Sequence, residues 1–133
     1  MWPEPVERVA AFLRDAEVPG RLEELAPGVD APPGQIARAA GFECDGRALV
    51  VLAPGDRDVD AERVARRAGC RSVRTAAASD FPFRGARIFV DRTLLSVRLV
   101  WLQAGTPRHF VGLAPGHLLR LVRAETGVFL RED

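Results

Sequence analysis

Arg108 and His109 sit beside a Gly105-Thr106-Pro107 turn, between the apolar runs Val100–Leu102 and Phe110–Leu113. A Gly-Thr-Pro turn bends the backbone and leaves amides free to point at a ligand. Arginine adds a fixed cation, and histidine a group that titrates near neutral pH. Together these suit a small anionic ligand. The same residues also suit a polar hairpin connection with no ligand at all.

Other residues offer chemistry on weaker grounds. His109 could act as a general base or sit hydrogen-bonded in the core. Phe81 and Phe83 could stack on a nucleobase or anchor a loop. Arg63, Arg66 and Arg67 lie on one helix face, which either meets phosphates or is simply solvated. Cys44 has no histidine or carboxylate tied to it by spacing, as a thiol nucleophile would need. Cys70 follows Gly69 at a helix end and reads as a small buried residue. His109, His117, Cys44 and Cys70 are too widely spaced for a zinc finger, so no metal site is expected.

All 19 basic residues are arginine, and the chain also lacks tyrosine and asparagine. No lysine can therefore serve as nucleophile, base or phosphate ligand, and any cationic role falls to arginine. The net charge of +1 argues against a long phosphate-tracking surface. At 133 residues the chain fits one domain with a real core. Two cysteines suit a reduced compartment without a disulfide framework. No run is long enough for a membrane span, and the charged start MWPEPVERVAAFLRD lacks a signal's apolar segment, so a cytoplasmic address is expected.

Hydrophobic spacing and turn signals set the elements that must position these groups. Helices are expected at 5–18, with Val6, Val9, Phe12, Leu13 and Ala16 inward, at 60–68 with Asp60 as cap, and at 115–123. Strands are expected at 21–25, 35–43, 48–53, 71–75, 86–91, 99–103 and 109–113, with an edge strand at 128–130. Asp45-Gly46 marks a tight hairpin. The interleaving predicts a single α+β domain over 1–133, with a mixed, largely antiparallel, partly barrel-like sheet and flanking helices.

Two stretches carry a resemblance: PPGQIARAAGFECDGRALVVLAPGDRDVD (32–60) and RIFVDRTLLSVRLVWLQAGTPRHFVGLAPGHLLRL (87–121). In order and separation they resemble the YbaK family, also called the prolyl-tRNA synthetase-associated editing domain. The resemblance implies a metal-free, cofactor-free domain that hydrolyses the ester of mischarged aminoacyl-tRNA, with water as nucleophile. It implies the aminoacyl-tRNA 3′ end as partner, with a synthetase as a further one. It also implies catalytic positions at Arg38, Gly105, Thr106 and His109, and substrate contacts from Phe81, Phe83, Gly85 and Arg108. Three departures stand out. The family lysine falls at Arg38, the segment 26–33 is too short for a helix usual there, and the glycine-rich loop is reduced to Phe81-Pro82-Phe83-Arg84-Gly85. A catalytically silent relative that binds tRNA ends is the alternative.

Overall fold

The computed structural model describes residues 1–132. Helix α1 (Glu4–Asp15) starts with Pro5 in its first turn, where a missing N–H costs nothing, and with Glu4 and Glu7 at the positive end of the helix dipole. It buries Val6, Val9, Ala10 and Leu13. Strand β1 (Arg21–Glu24) follows, then the long β2 (Gln35–Cys44) and β3 (Arg47–Pro54). Asp45 and Gly46 join β2 to β3, both at positive φ (50° and 83°), as a tight hairpin requires. Asp60 caps α2 (Ala61–Ala68) by accepting from the Glu62 N–H at 2.9 Å, and Gly69 ends it in the left-handed region.

Strands β4 (Val73–Thr75) and β5 (Arg87–Asp91) come next, then a 3₁₀ turn at Arg92–Ser96. The chain ends with β6 (Val100–Gln103), β7 (His109–Leu113), α3 (Pro115–Val122) and β8 (Glu125–Gly127). The sheet order is β1-β7-β6-β2-β3-β5-β8, with β4 also on β2. Pairs β1–β7, β6–β7, β2–β3 and β2–β4 are antiparallel, whereas β2–β6, β3–β5 and β5–β8 are parallel. The order is an open path, so the sheet does not close into a barrel. Among the described residues no helix is long and apolar enough to cross a membrane.

Strand β2 is the pivot. Its first residues, Gln35 and Ile36, pair with β6, and the rest pairs with β3. Strand β3 is buried on both faces. Val50 and Leu52 enter a core shared with α1 and α3, while Leu49 and Val51 enter a second core with Val64, Phe89 and Phe129. Two-sided burial explains why this strand reads as an unbroken apolar run. Asp91 is nearly fully buried (1% exposed) and has three donors: the Thr93 N–H, the Thr93 hydroxyl and the Phe129 N–H. Arg87 and Arg67 join α2, β5 and β8 through Glu125. The Arg87 hydrogen bond holds the Glu125 carboxyl below the usual glutamate range, against the opposing effect of its desolvation.

Two sequence expectations change. The last strand lies at Glu125–Gly127, and of 128–130 only Leu130 makes an isolated bridge, to Val59. The cysteines are bonded to each other: Cys44 and Cys70 form a disulfide across Cα atoms 5.4 Å apart. Spacing could not reveal this pair. The β2–β3 hairpin and the α2–β4 link meet only in the fold, where the Asp45 carboxylate accepts from the Arg71 and Ser72 N–H groups.

Candidate functional site

A cavity of about 950 Å³ opens where the start of β2, the end of β6, the turn after it and the segment 78–83 converge. Strand β2 provides Gln35–Ala39, the 54–58 turn provides Gly55 and Asp56, and the β6–β7 turn provides Gly105, Thr106 and Pro107. Phe81 and Phe83 form the apolar wall, both buried (6% and 4% exposed) and edge-to-face at 5.7 Å.

Gly105 fits this wall for two backbone reasons. Its φ is +100°, and a Cβ there would lie 2.7 Å from the Pro5 carbonyl carbon. The first turn of α1 therefore rests directly on the lip of the cavity. The turn's own hydrogen bonds run from Ala104 N–H to His109 O, from His109 N–H to Thr106 O and from Arg108 N–H to Thr106 Oγ1. None of them uses the Gly105 or Thr106 N–H. Those two donors sit at the cavity edge with no acceptor among the described residues, as a site for a developing oxyanion needs. The segment 78–81 has the same property, since its internal bond runs from Phe83 N–H to Asp80 O.

The expected site residues separate into two groups. Arg38, Gly105, Thr106, Phe81 and Phe83 line the cavity, whereas His109, Arg108 and Gly85 do not. His109 is 6% exposed beneath the turn, its Nδ1 2.6 Å from Thr106 Oγ1 and its Nε2 4.0 Å from Glu24. Thr106 Oγ1 already accepts from Arg108. The hydroxyl has a second lone pair and a proton of its own, so it pairs with Nδ1 in either ring tautomer. His109 thus positions Thr106 from behind. Arg108 donates to the carbonyls of Val29, Leu25 and Ala26 at 2.8, 2.9 and 2.7 Å, which fastens the β1–β2 connection to the β6–β7 turn. Gly85 only closes the turn that returns the chain to β5.

Arg38 lies on the rim with its guanidinium turned outward. It donates to Arg57 O at 2.9 Å and lies 3.9 Å from Asp58, with half of its side chain exposed. Sequence reasoning missed Gln35, Gln103, Asp56, Ser79 and Asp80, which also line the cavity. Gln35 had a signal, since it lies in the Gly-Gln-Ile stretch. Gln103 ends β6, and Asp56, Ser79 and Asp80 come from turn and loop segments whose position depends on tertiary packing.

Arg108→Ala should lower stability by about 1–2 kcal/mol, through loss of three hydrogen bonds from a charged donor that is partly solvent-screened. Urea denaturation measures this, and amide exchange at residues 25–29 should speed up with it. Unchanged exchange there would mean that the loop is held by something else.

Residues 20–82 match the family described as the aminoacyl-tRNA editing domain. The fold of the whole chain is shared with solved structures of low sequence identity. A proposed trans-editing enzyme for prolyl tRNA synthetase superposes with TM-score 0.79 at 21% identity, over 99% of this chain and 100% of that one. A structure from work on epitope backbone grafting onto scaffold proteins gives TM-score 0.81 at 20% identity, over 99% and 100%. A hypothetical protein gives TM-score 0.80 at 18% identity, over 96% and 100%. No curated protein matches the chain. The editing-domain match covers β1 to β4 and enters the Phe81 wall, but it stops short of the Gly105-Thr106-Pro107 turn.

Proposed function

We propose that this domain hydrolyses the ester of mischarged aminoacyl-tRNA, acting in trans on a small amino acid. One observation carries the reading: a chain that matches the editing-domain family over residues 20–82 encloses a cavity whose lip presents spare backbone donors at Gly105 and Thr106. Water is the nucleophile. The donors at 105–106 and along 78–81 stabilise the charge that develops on the ester carbonyl. The Phe81–Phe83 wall and Leu102 limit the size of the aminoacyl group. Arg38 faces the substrate from the rim once it leaves the 57–58 carbonyl and carboxylate, and His109 holds Thr106 in register. No metal or cofactor enters this scheme. Charged tRNA is the partner, and the reaction belongs in the cytoplasm where charged tRNA resides.

The test is release of alanine, serine or cysteine from the corresponding charged tRNAs. No release above the buffer rate across the panel would sink the proposal. A second reading, a silent relative that binds tRNA ends or a synthetase, draws on the Arg38 geometry, because that cation is engaged by the protein itself. Binding of charged tRNA without turnover would favour it.

Arg38→Ala should lower kcat/KM for deacylation by about tenfold, roughly the loss of one charge-assisted contact, with little effect on folding. Arg38→Lys should preserve or raise the rate. Equal rates for all three proteins would make Arg38 a surface residue.

Binding should depend weakly on salt. Arg63 pairs with Asp60 and Glu132, and Arg67 with Glu125, so α2 offers few free cations. The log–log slope of affinity against salt should correspond to about two or three phosphate contacts. A slope typical of a whole acceptor stem would show that a wider arginine surface is engaged.

A further inference from the structure

The main cavity continues into a second cleft of about 280 Å³, and the two share Ser79, Asp80, Phe81 and Gly105. The outer cleft is bounded by α1 through Pro5, Arg8, Val9 and Phe12, and by Pro82 and Arg84. It holds two arginines, whereas the only cation of the main cavity, Arg38, is tied to the 57–58 turn. Arg108 is committed to three carbonyls outside both. Arg38 must leave those partners before it can meet substrate, whereas the arginines of the outer cleft have less to give up.

Neither arginine is held by a strong internal partner. Arg84 has no carboxylate within 4.0 Å among the described residues, and its Cζ lies 5.5 Å from the Phe12 ring centroid. Phe12 is itself fixed edge-to-face on Phe81 at 6.2 Å. An aromatic face under a guanidinium limits its motion and leaves its in-plane donors free. Arg8 meets only Glu4, at 3.4 Å, with both side chains largely exposed. Such a surface pair is weak and yields readily to a better anion. Two carboxylates face the cleft's surroundings, Glu4 beside Arg8 and Asp80 on the wall shared with the main cavity.

We propose that the outer cleft is a phosphodiester subsite. With the terminal nucleoside in the main cavity, the phosphate on its 5′ side falls between Arg8 and Arg84, and the Ser79 hydroxyl is a further donor. The proposal rests on the nucleic-acid reading of the main cavity. It makes α1 part of substrate binding as well as of the core.

The probes are 3′-alanylamido-3′-deoxyadenosine, a non-hydrolysable mimic, and the same mimic extended at its 5′ side by two cytidylates. Calorimetric titration of each against the wild type and the Arg8→Gln/Arg84→Gln double variant separates the contributions. The extended probe should bind the wild type more tightly than the nucleoside does. The double variant should lose about tenfold for the extended probe, on the scale of charged contacts to phosphate, and change less than twofold for the nucleoside. Arg66→Gln, outside both cavities, should alter neither. Unchanged affinity of the double variant for the extended probe would overturn the subsite while leaving the main-cavity reading intact. Binding of neither probe by the wild type would remove the reading and the subsite together.

Discussion

Gly105→Ala should destabilise the domain by about 3 kcal/mol and reduce deacylation further than the stability loss explains. Two costs add. An alanine at φ +100° is strained by about 1–3 kcal/mol, and overpacking of a filled site adds a similar amount. The clashing atoms are Pro5 C and O and Val6 N, at 2.7, 2.8 and 2.9 Å. They are backbone atoms, which cannot rotate away as a side chain can. Either α1 lifts or the turn shifts, and each outcome displaces the Gly105 and Thr106 donors. Urea denaturation with single-turnover deacylation checks both halves. A midpoint within error of the wild type would show that α1 is loosely seated.

Reduction of the Cys44–Cys70 bond should lower stability by about 3 kcal/mol, the chain-entropy effect expected of a loop of roughly this length. The two cysteines are 26 residues apart in sequence. The loss should appear as a lower urea midpoint in dithiothreitol, and Cys44→Ser/Cys70→Ser should reproduce it. Deacylation of the reduced protein at low temperature should remain close to that of the oxidised one. Cys44 lies six residues along β2 from Arg38, about 20 Å of extended strand, so the bond and the cavity are at opposite ends of that strand. The same midpoint with and without reductant would mean that the thiols are not joined in solution. In a compartment where thiols are kept reduced, the two forms would coexist with different stabilities and the same active site.

The elements were largely legible because their signals are local. The Asp45-Gly46 hairpin, the Asp60 cap, the Gly69 stop and Pro115 at the head of α3 each act within a few residues. The strand expected at 48–53 announced itself by its unbroken apolar run, and β3 extends it by one residue at each end. Sheet closure was not legible. A run of strands reads alike whether its ends meet or stay apart, and here β1 and β8 remain the two ends of the path. The disulfide was hidden for a related reason, since its partners meet only through the β2–β4 pairing.

Legibility of the cavity was mixed. Gly105, Thr106 and Arg38 line it because each belongs to a stretch with its own turn or strand signal. Arg108 and His109 carry the most chemistry-laden side chains of that stretch, yet His109 is buried beneath the turn and Arg108 reaches across the surface to the β1–β2 connection. An arginine with three carbonyl partners and a histidine beneath a threonine are indistinguishable, by type and spacing, from a pair that faces a ligand. Ser79 and Asp80 were missed because they belong to a segment with no periodicity, held against β2 at Gly41 by the Ala76 N–H. A side chain at Gly41 would collide with the backbone of residues 76–78, so the approach of this segment depends on one missing Cβ.

The seating of α1 on Gly105 also fixes when the pocket can exist. Its walls come from residues near 35, 55, 80 and 105, and its lip is braced by residues 5 and 6. Contacts that span most of the chain form slowly and late. A nascent chain released only as far as β5 would already have the β2–β3 hairpin, α2 and the Val50, Phe81 and Val90 side chains that share a core with the first helix, yet the lip of the pocket would still be missing. The first helix can therefore settle on the core before the binding site is whole, and the site is completed only when the turn at 104–108 comes back against that helix.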